Sequence, residues 1–379
     1  MADRPSIEEL VDLGLYEPDA PDATDRLEML TYLFDRGATV EEVSDAWQTY
    51  GWQGIGTLGV ELVARPGGRP LTFDEAVERS GMDPERLAAL VRALGFPDPR
   101  EVKRPFTEDE IDILVGMLPL EQIVGWEGVL ELARVVGTSM ARIAEAGSAL
   151  FRLGFEVPKR STGTTVADMA KQNAEVVGLI LPTAARLYEA VAARHVIANS
   201  YRAWSVDESL AATTAELAVG FADIAGFSAR VQGGDVSDVA TVVRGFEQRS
   251  AEVIERGGGR LVKLIGDEVM FVADTAARGC DIACGLVEAF AADPVLPPVR
   301  VGLGFGPVVT MRGDYYGPVV NLAARLVAVA DPSSAVVSES VVGSLDGERR
   351  SEPLGEVTLK GFEAPVPVHR LDLGRRTIG

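Results

Sequence analysis

Apolar positions three and four apart dominate the chain from its start to about residue 205. Leu27, Leu30, Leu33 and Phe34 follow the polar residues Asp22 and Thr24, and Thr39 with Glu42 has capping-box spacing before Val43 and Trp47. Further helix starts fall at Thr72, at Asp83-Pro84 and at Thr107, where polar caps precede acidic first turns. The pattern predicts an all-α front half. A loop, KRSTGTT, follows Pro158, and a long helical pattern then runs from about Val166 to Tyr201. Pro182 lies inside it and is expected to end or kink the helix, because proline has no amide to donate and crowds the preceding turn. After about Ala211, runs such as AELAVGFAD, GRLVKLIG, DEVMFVAD, VRVGLGFG and SSAVVSES read as strands among helical stretches and glycine-rich turns. The predicted organisation is an all-helical domain over 1–160, a helical linker over 161–210 and an α+β domain over 211–379.

Composition narrows the class. The chain has 379 residues, 47% of them hydrophobic and 25% charged, enough to bury real cores. Its formal net charge of −21 repels phosphate polymers, so general nucleic-acid affinity is not expected. The first residues show no basic segment followed by an apolar one, and no uncharged apolar run reaches the roughly 18 to 20 residues of a membrane span. A cytoplasmic protein without a span is therefore expected. The two cysteines, Cys280 and Cys284, sit one helical turn apart and read as small core residues in a reducing compartment.

Four segments of the second half carry chemistry. In FADIAGFS an apolar strand delivers Asp223, and the following turn offers backbone amides to a phosphate beside a carboxylate able to hold a divalent cation. In LVKLIGDEVMFVA two strands are separated by Gly266-Asp267, a two-residue reversal with Asp267 at its tip. In GDYYGPVVNLAARL, Pro318 suits a helix start after Gly317, which sets Asn321 and Arg325 four apart on one face. The fourth, LKGFEAPVPVHRL, places Lys360 at a strand end before a glycine. Each alone has an ordinary reading as a turn residue, a polar helix face or a solvated lysine.

Together their order and spacing resemble the catalytic domain of class III nucleotidyl cyclases, specifically adenylate cyclases, over about residues 211–372. Phe221, Asp223, Ile224, Gly226, Phe227 and Ser228 match the family's F-x-D-I-x-G-F-[ST], and Lys263, Gly266 and Asp267 match K-x-x-G-D. Asp314, seven residues before Asn321, and Arg325 match the next motif, and Leu359 to Phe362 match the terminal L-K-G-F. The resemblance implies a ferredoxin-like α+β fold and conversion of ATP to cyclic AMP and pyrophosphate. It also implies two Mg²⁺ or Mn²⁺ ions on Asp223, Asp267 and the Ile224 carbonyl. Lys263 and Asp314 would read the purine, Asn321 would orient the ribose, Arg325 would stabilise the transition state and Lys360 would contact the terminal phosphates. A further phosphate-binding arginine is expected near Arg312. Adenine presents a donor at N6 and an acceptor at N1, which suits an acceptor Asp314 and a donor Lys263. In this family the site forms between two catalytic domains, so one chain with the full set implies a homodimer with two equivalent sites.

The front half is less specific. Residues 71–99 have a helix-turn-helix look, yet residues 71–104 carry 7 acidic and 6 basic side chains, without the surplus DNA requires. A packing unit is the better expectation. Helical front domains of this kind resemble those of actinobacterial soluble adenylate cyclases, some of which respond to acid pH. A lipid-like ligand among the apolar helices is a further expectation, as is a proton switch at His195, in the bridge between the halves. The rival of another class is a cyclase-like domain that binds nucleotide without turnover, as a sensor.

Overall fold

A computed structural model describes residues 4–65, 67–160, 163–203, 214–227, 236–345 and 349–374, and the chain divides into two units, Met1–Val206 and Asp207–Gly379. In the helical unit, α1 (Ile7–Asp12), α2 (Ala23–Asp35), α3 (Val40–Gly54) and α4 (Gly56–Ala64) come first. Next are α5 (Phe73–Ser80), α6 (Pro84–Ala93), α7 (Glu108–Gly116) and α8 (Glu121–Phe151). A π-helical turn carries α8 on into α9 (Val157–Arg160), and α10 (Val166–Ala203) closes the unit. The predicted caps are present. Thr39 and Glu42, Thr72 and Glu75, and Thr107 and Glu110 each form a reciprocal capping box, and Asp83 accepts from the amides of Glu85 and Arg86 with Pro84 in the first helical position. Asp22 departs from the pattern: it makes no cap bond, and its carboxylate pairs with Arg26 instead.

Three further features depart from the sequence pattern. Two short strands, β1 (Pro70–Leu71) and β2 (Phe106–Thr107), pair antiparallel within the helical unit. The helix α10 runs through Pro182 without ending. Two helices, within Glu108–Lys159 and Val166–Ser200, are long and apolar enough to cross a membrane by length and composition, since their windows tolerate a few charges. The helix-turn-helix segment is a packing element: Leu87, Ala88, Leu90 and Val91 of α6 are buried, while Arg86 pairs with Glu121 and Arg92 with Asp98. Where α8 passes the end of α6, a Cβ on Gly137 would stand 2.2 Å from the Leu94 carbonyl oxygen, so only glycine fits.

The sheet unit is built on β3 (Thr214–Ile224), β4 (Arg260–Ile265), β5 (Glu268–Ala273), β6 (Val299–Met311), β7 (Asp314–Tyr316), β8 (Ser334–Ser338), β9 (Ser351–Val357) and β10 (Val366–Leu371). Its helices are α11 (Val236–Arg256), α12 (Ala276–Ala291), α13 (Pro318–Val329) and α14 (Glu339–Gly343). The strand order is β4-β5-β3-β6-β8-β10-β9, with β7 folded back on β6. The run β3-α11-β4-β5-α12-β6 is the expected ferredoxin-like arrangement. One face packs Ala222, Ile224, Phe271 and Val301 against Phe246 of α11 and Cys280, Leu286 and Phe290 of α12. The other packs Val219, Phe221, Met270 and Val272 against Ala323 and Val327 of α13. Because side chains alternate along a strand, Asp223 falls with Val219 and Phe221 on the α13 face.

Candidate active site

The strand registers gather the charged residues. Asp223 at the end of β3 lies opposite Glu268 on β5 and opposite Arg300 on β6, so all three side chains rise from the same face of the sheet. The Gly266-Asp267 reversal between β4 and β5 is as expected, with Gly266 at φ +66°, and the Ile224 amide donates to the Asp267 carbonyl at 3.1 Å. That bond ties the two aspartate-bearing turns together. Arg300 donates to Asp223 Oδ2 from Nε at 2.9 Å and from Nη2 at 2.5 Å.

Burial sets the electrostatics of the cluster. The Asp223 side chain is 13% exposed, and desolvation with the neighbouring Asp267 pushes its carboxyl above the ordinary range despite Arg300. Glu268 is pushed up to about 7, first by burial and then by the Asp223 and Asp267 charges, with Arg300 and Arg325 partly offsetting. Negative charge is thus in excess here. Among the described residues no group of three or more His, Cys, Asp or Glu side chains is arranged to hold a metal by itself. Two carboxylates fit a different kind of site, because Mg²⁺ is commonly held by one or two carboxylates plus substrate phosphates.

The two residues expected to read the base also meet. Lys263 on β4 lies opposite Met270, hence on the α13 face, and its ammonium forms an ion pair with Asp314. Asp314 opens β7, and its other oxygen accepts from the Tyr315 amide at 2.8 Å. Gly317 and Pro318 start α13 as expected, and Asn321 and Arg325 share its exposed face while Ala323, Leu326 and Val327 are buried. A Cβ on Gly302 would stand 2.4 Å from the Ala323 carbonyl oxygen and 2.5 Å from the Val327 nitrogen. Glycine at 302 thereby allows α13 to lie directly on β6.

The remaining expected residues are more dispersed. Lys360 is exposed in the turn between β9 and β10. Arg312, at φ +56°, forms the tip of the β6–β7 hairpin with Gly313. His195 is exposed on α10, in the other unit. Phe227 is described and Ser228 lies outside the described residues, as does the helix expected to follow. The turn has fewer amides to offer than expected: that of Ile224 goes to Asp267 and that of Ala225 to the Pro298 carbonyl at 2.9 Å. Arg300 and Glu268 were not foreseen. Their signal lies in the pairing of strand ends far apart in the chain, which local spacing does not carry.

The family model of the adenylate and guanylate cyclase catalytic domain matches residues 210–372. An uncharacterized protein of Mycobacterium tuberculosis is 32% identical over 349 residues, covering 92% of this chain and 90% of that protein. An adenylate cyclase of Streptomyces coelicolor is 32% identical over 290 residues, covering 76% of this chain and 74% of its own length. A pH-sensitive adenylate cyclase of Mycobacterium tuberculosis is 25% identical over 384 residues, covering 94% of this chain and 90% of the relative.

Proposed function

The chain belongs to the class III adenylate cyclases, and from that premise we propose that two copies form two equivalent sites converting ATP to 3′,5′-cyclic AMP and pyrophosphate. The observation that carries this reading is the joining of Asp223 and Asp267 on adjacent strand ends, on the sheet face that also presents Arg300 and Lys263. Asp223, Asp267 and the Ile224 carbonyl would hold two divalent cations. Such ions, when bound, supply an activated 3′-oxygen and charge neutralisation at the triphosphate. Lys263 and Asp314 bind adenine edge to edge, exchanging their mutual ion pair for bonds to the base. Asn321 orients the ribose, and Arg325 stabilises charge developing at the α-phosphate. Lys360 meets the terminal phosphates. Arg300 is better placed than the hairpin arginine Arg312 to join it, since its guanidinium already lies beside the Asp223 carboxylate.

Pairing of copies is supported by apolar side chains left exposed on the sheet unit, among them Ile265, Val309, Met311 and Tyr316. Regulation by the helical unit belongs to the same reading. His195 is an exposed titratable group ahead of the sheet unit in the chain, and a relative over nearly the whole length is pH-sensitive by name. The helical unit also has a cavity of about 780 Å³. Leu58, Phe96 and Phe106 line it beside the ion pairs Lys103–Glu41 and Arg65–Glu42, so it offers an amphipathic rather than a purely lipid-like lining.

The deciding experiment is incubation of the purified chain with ATP and Mn²⁺ and measurement of cyclic AMP. Nucleotide binding without product would support the sensor reading and overturn this one. For pH, cyclic AMP formation is compared in wild type and His195→Ala from neutral to mildly acid conditions, with acid activation expected in wild type and diminished in the variant. An unchanged response in His195→Ala removes this histidine as the sensor.

A further inference from the structure

A strand that alternates strictly sets residues three apart on opposite faces of its sheet. Arg260 and Lys263 of β4 break that rule. Arg260 lies opposite Val272 of β5 and Lys263 opposite Met270, two residues of one face, because the register shifts between Leu261 and Lys263. The extra residue, Val262, makes a β-bulge, a device that re-aims a side chain. Both cations therefore rise from the α13 face, and both meet β7. Lys263 pairs with Asp314, and the Arg260 guanidinium carbon stands 5.0 Å from the centroid of the Tyr315 ring, within cation–π range. In the sheet, β5, β3 and β6 lie between β4 and β7, so the β6–β7 hairpin meets this edge strand only by reaching across the face.

We propose that Arg260 and Tyr315 are positioning residues for base recognition, a clasp that keeps the hairpin on β4 while the Lys263–Asp314 pair opens to take the adenine. That role rests on the reading in which this pair recognises the base. Insertion of adenine removes the ion pair, and with it one tie between β4 and the hairpin, at the moment when donor and acceptor must stand at a fixed separation. The clasp does not compete with the base, because it uses the face of an aromatic ring and no hydrogen-bonding group of the purine edge. Tyr315 also governs Asp314 directly: its amide donates to Asp314 Oδ1 at 2.8 Å and leaves Oδ2 to Lys263 or to the base. The Tyr315 ring is 8% exposed and packs with Val219, Met270 and Val272, and Arg260 is half-buried above it. Desolvation of this kind strengthens the attraction between cation and ring. A tie that fixes where donor and acceptor stand acts on which purine is bound more than on the chemical step.

The test measures KM and kcat for ATP and for GTP, with Mn²⁺, in the full chain and in its Arg260→Met, Tyr315→Leu and Tyr315→Phe variants and the double variant Arg260→Met with Tyr315→Leu. Arg260→Met and Tyr315→Leu should each raise KM for ATP about tenfold and lower the ATP-to-GTP ratio of kcat/KM, with kcat changed less. Tyr315→Phe keeps the ring face and should restore most of both. The double variant should be no worse than the worse single one, because either substitution opens the same clasp. An unchanged KM and ratio in Arg260→Met, equal losses in Tyr315→Phe and Tyr315→Leu, or losses that multiply in the double variant overturn the proposal. Tyr315 lies in a core, so where Tyr315→Leu does not fold, Arg260→Met and Tyr315→Phe decide. Lys263→Glu with Asp314→Cys keeps the two readings apart. An ATP-to-GTP ratio that moves there but not in Arg260→Met removes the clasp alone, and a ratio that moves in neither removes base recognition by the pair as well.

Discussion

The sheet unit and the helical unit place their apolar residues differently. Strand β8 is buried along its whole length, and α12 hides Cys280, Ile282, Leu286 and Phe290 under the sheet. The helical unit fills two cores, around Leu33 and Ile55 and around Leu90 and Ile111, yet sends α10 outward with Leu179, Leu187 and Ile197 uncovered. In the sheet unit the unusual feature is buried charge, Asp223 and Glu268 against Arg300; in the helical unit it is exposed apolar surface. Buried charge is costly unless it is paired and hydrogen-bonded, and a large exposed apolar surface is uncommon unless it meets a partner. The two units thus carry opposite departures from the ordinary pattern, desolvated charge in one and solvent-exposed apolar surface in the other.

The sharpest way to break that contrast is at the carboxylates. Asp223→Ala or Asp267→Ala should lower turnover by about a thousandfold, as expected for several kcal/mol of lost charge stabilisation, while the circular dichroism spectrum is retained. Both residues sit at strand ends, outside the apolar clusters that hold the helices on the sheet. Normal activity in Asp267→Ala would remove the paired-carboxylate site. Next in size is base selection: Lys263→Glu with Asp314→Cys should weaken ATP use by about 1 to 3 kcal/mol for each mismatched buried group. An unchanged ratio of ATP to GTP turnover would show that the base is read elsewhere.

How much of this was legible along the chain depends on distance in sequence. Capping boxes at Thr39, Thr72 and Thr107, the Gly266-Asp267 reversal and the Pro318 helix start are signals within a few residues, and the structure shows each of them. Motif residues on those elements could be placed at strand ends and on a helix face before any fold was known. Arg300 lies 77 residues from Asp223, and the β1–β2 pair joins residues more than thirty apart, so neither leaves a local trace. Pro182 shows the limit of a local rule: its chemistry forbids one hydrogen bond, but α10 continues through it.

A smaller effect tests how the sheet unit positions α13. Gly302→Ala would press a methyl against the Ala323 carbonyl and the Val327 nitrogen, both backbone, so the helix itself must move. Overpacking of this kind costs about 1 to 3 kcal/mol. Thermal unfolding should shift down, and kcat should fall with it, because α13 carries Asn321 and Arg325. A variant destabilised with kcat intact would show that the site tolerates displacement of its helix.

The smallest expected effect lies in the helical unit and asks whether its stability matters to chemistry at all. Thr39 caps α3: its hydroxyl accepts from the Glu42 amide at 3.2 Å, and its own amide donates to Glu42 Oε2 at 2.9 Å. Thr39→Ala should cost about 1 kcal/mol of stability. Glu42 makes the effect pH-dependent. Burial works to raise its pKa, but bonds from the Thr39 amide and hydroxyl and from the Arg65 guanidinium outweigh it and hold the carboxyl below the ordinary 4.5. A carboxyl depressed on folding stabilises the protein above its unfolded value, and that contribution is lost as pH falls through the lower folded one. Wild type should therefore exceed Glu42→Gln in stability at neutral pH, with the gap closing only below the ordinary carboxylate range. Cyclic AMP formation at neutral pH should be the same in wild type and Thr39→Ala. A change in turnover in Thr39→Ala would mean that the cap of α3 lies on the route by which the helical unit regulates the site, rather than outside it.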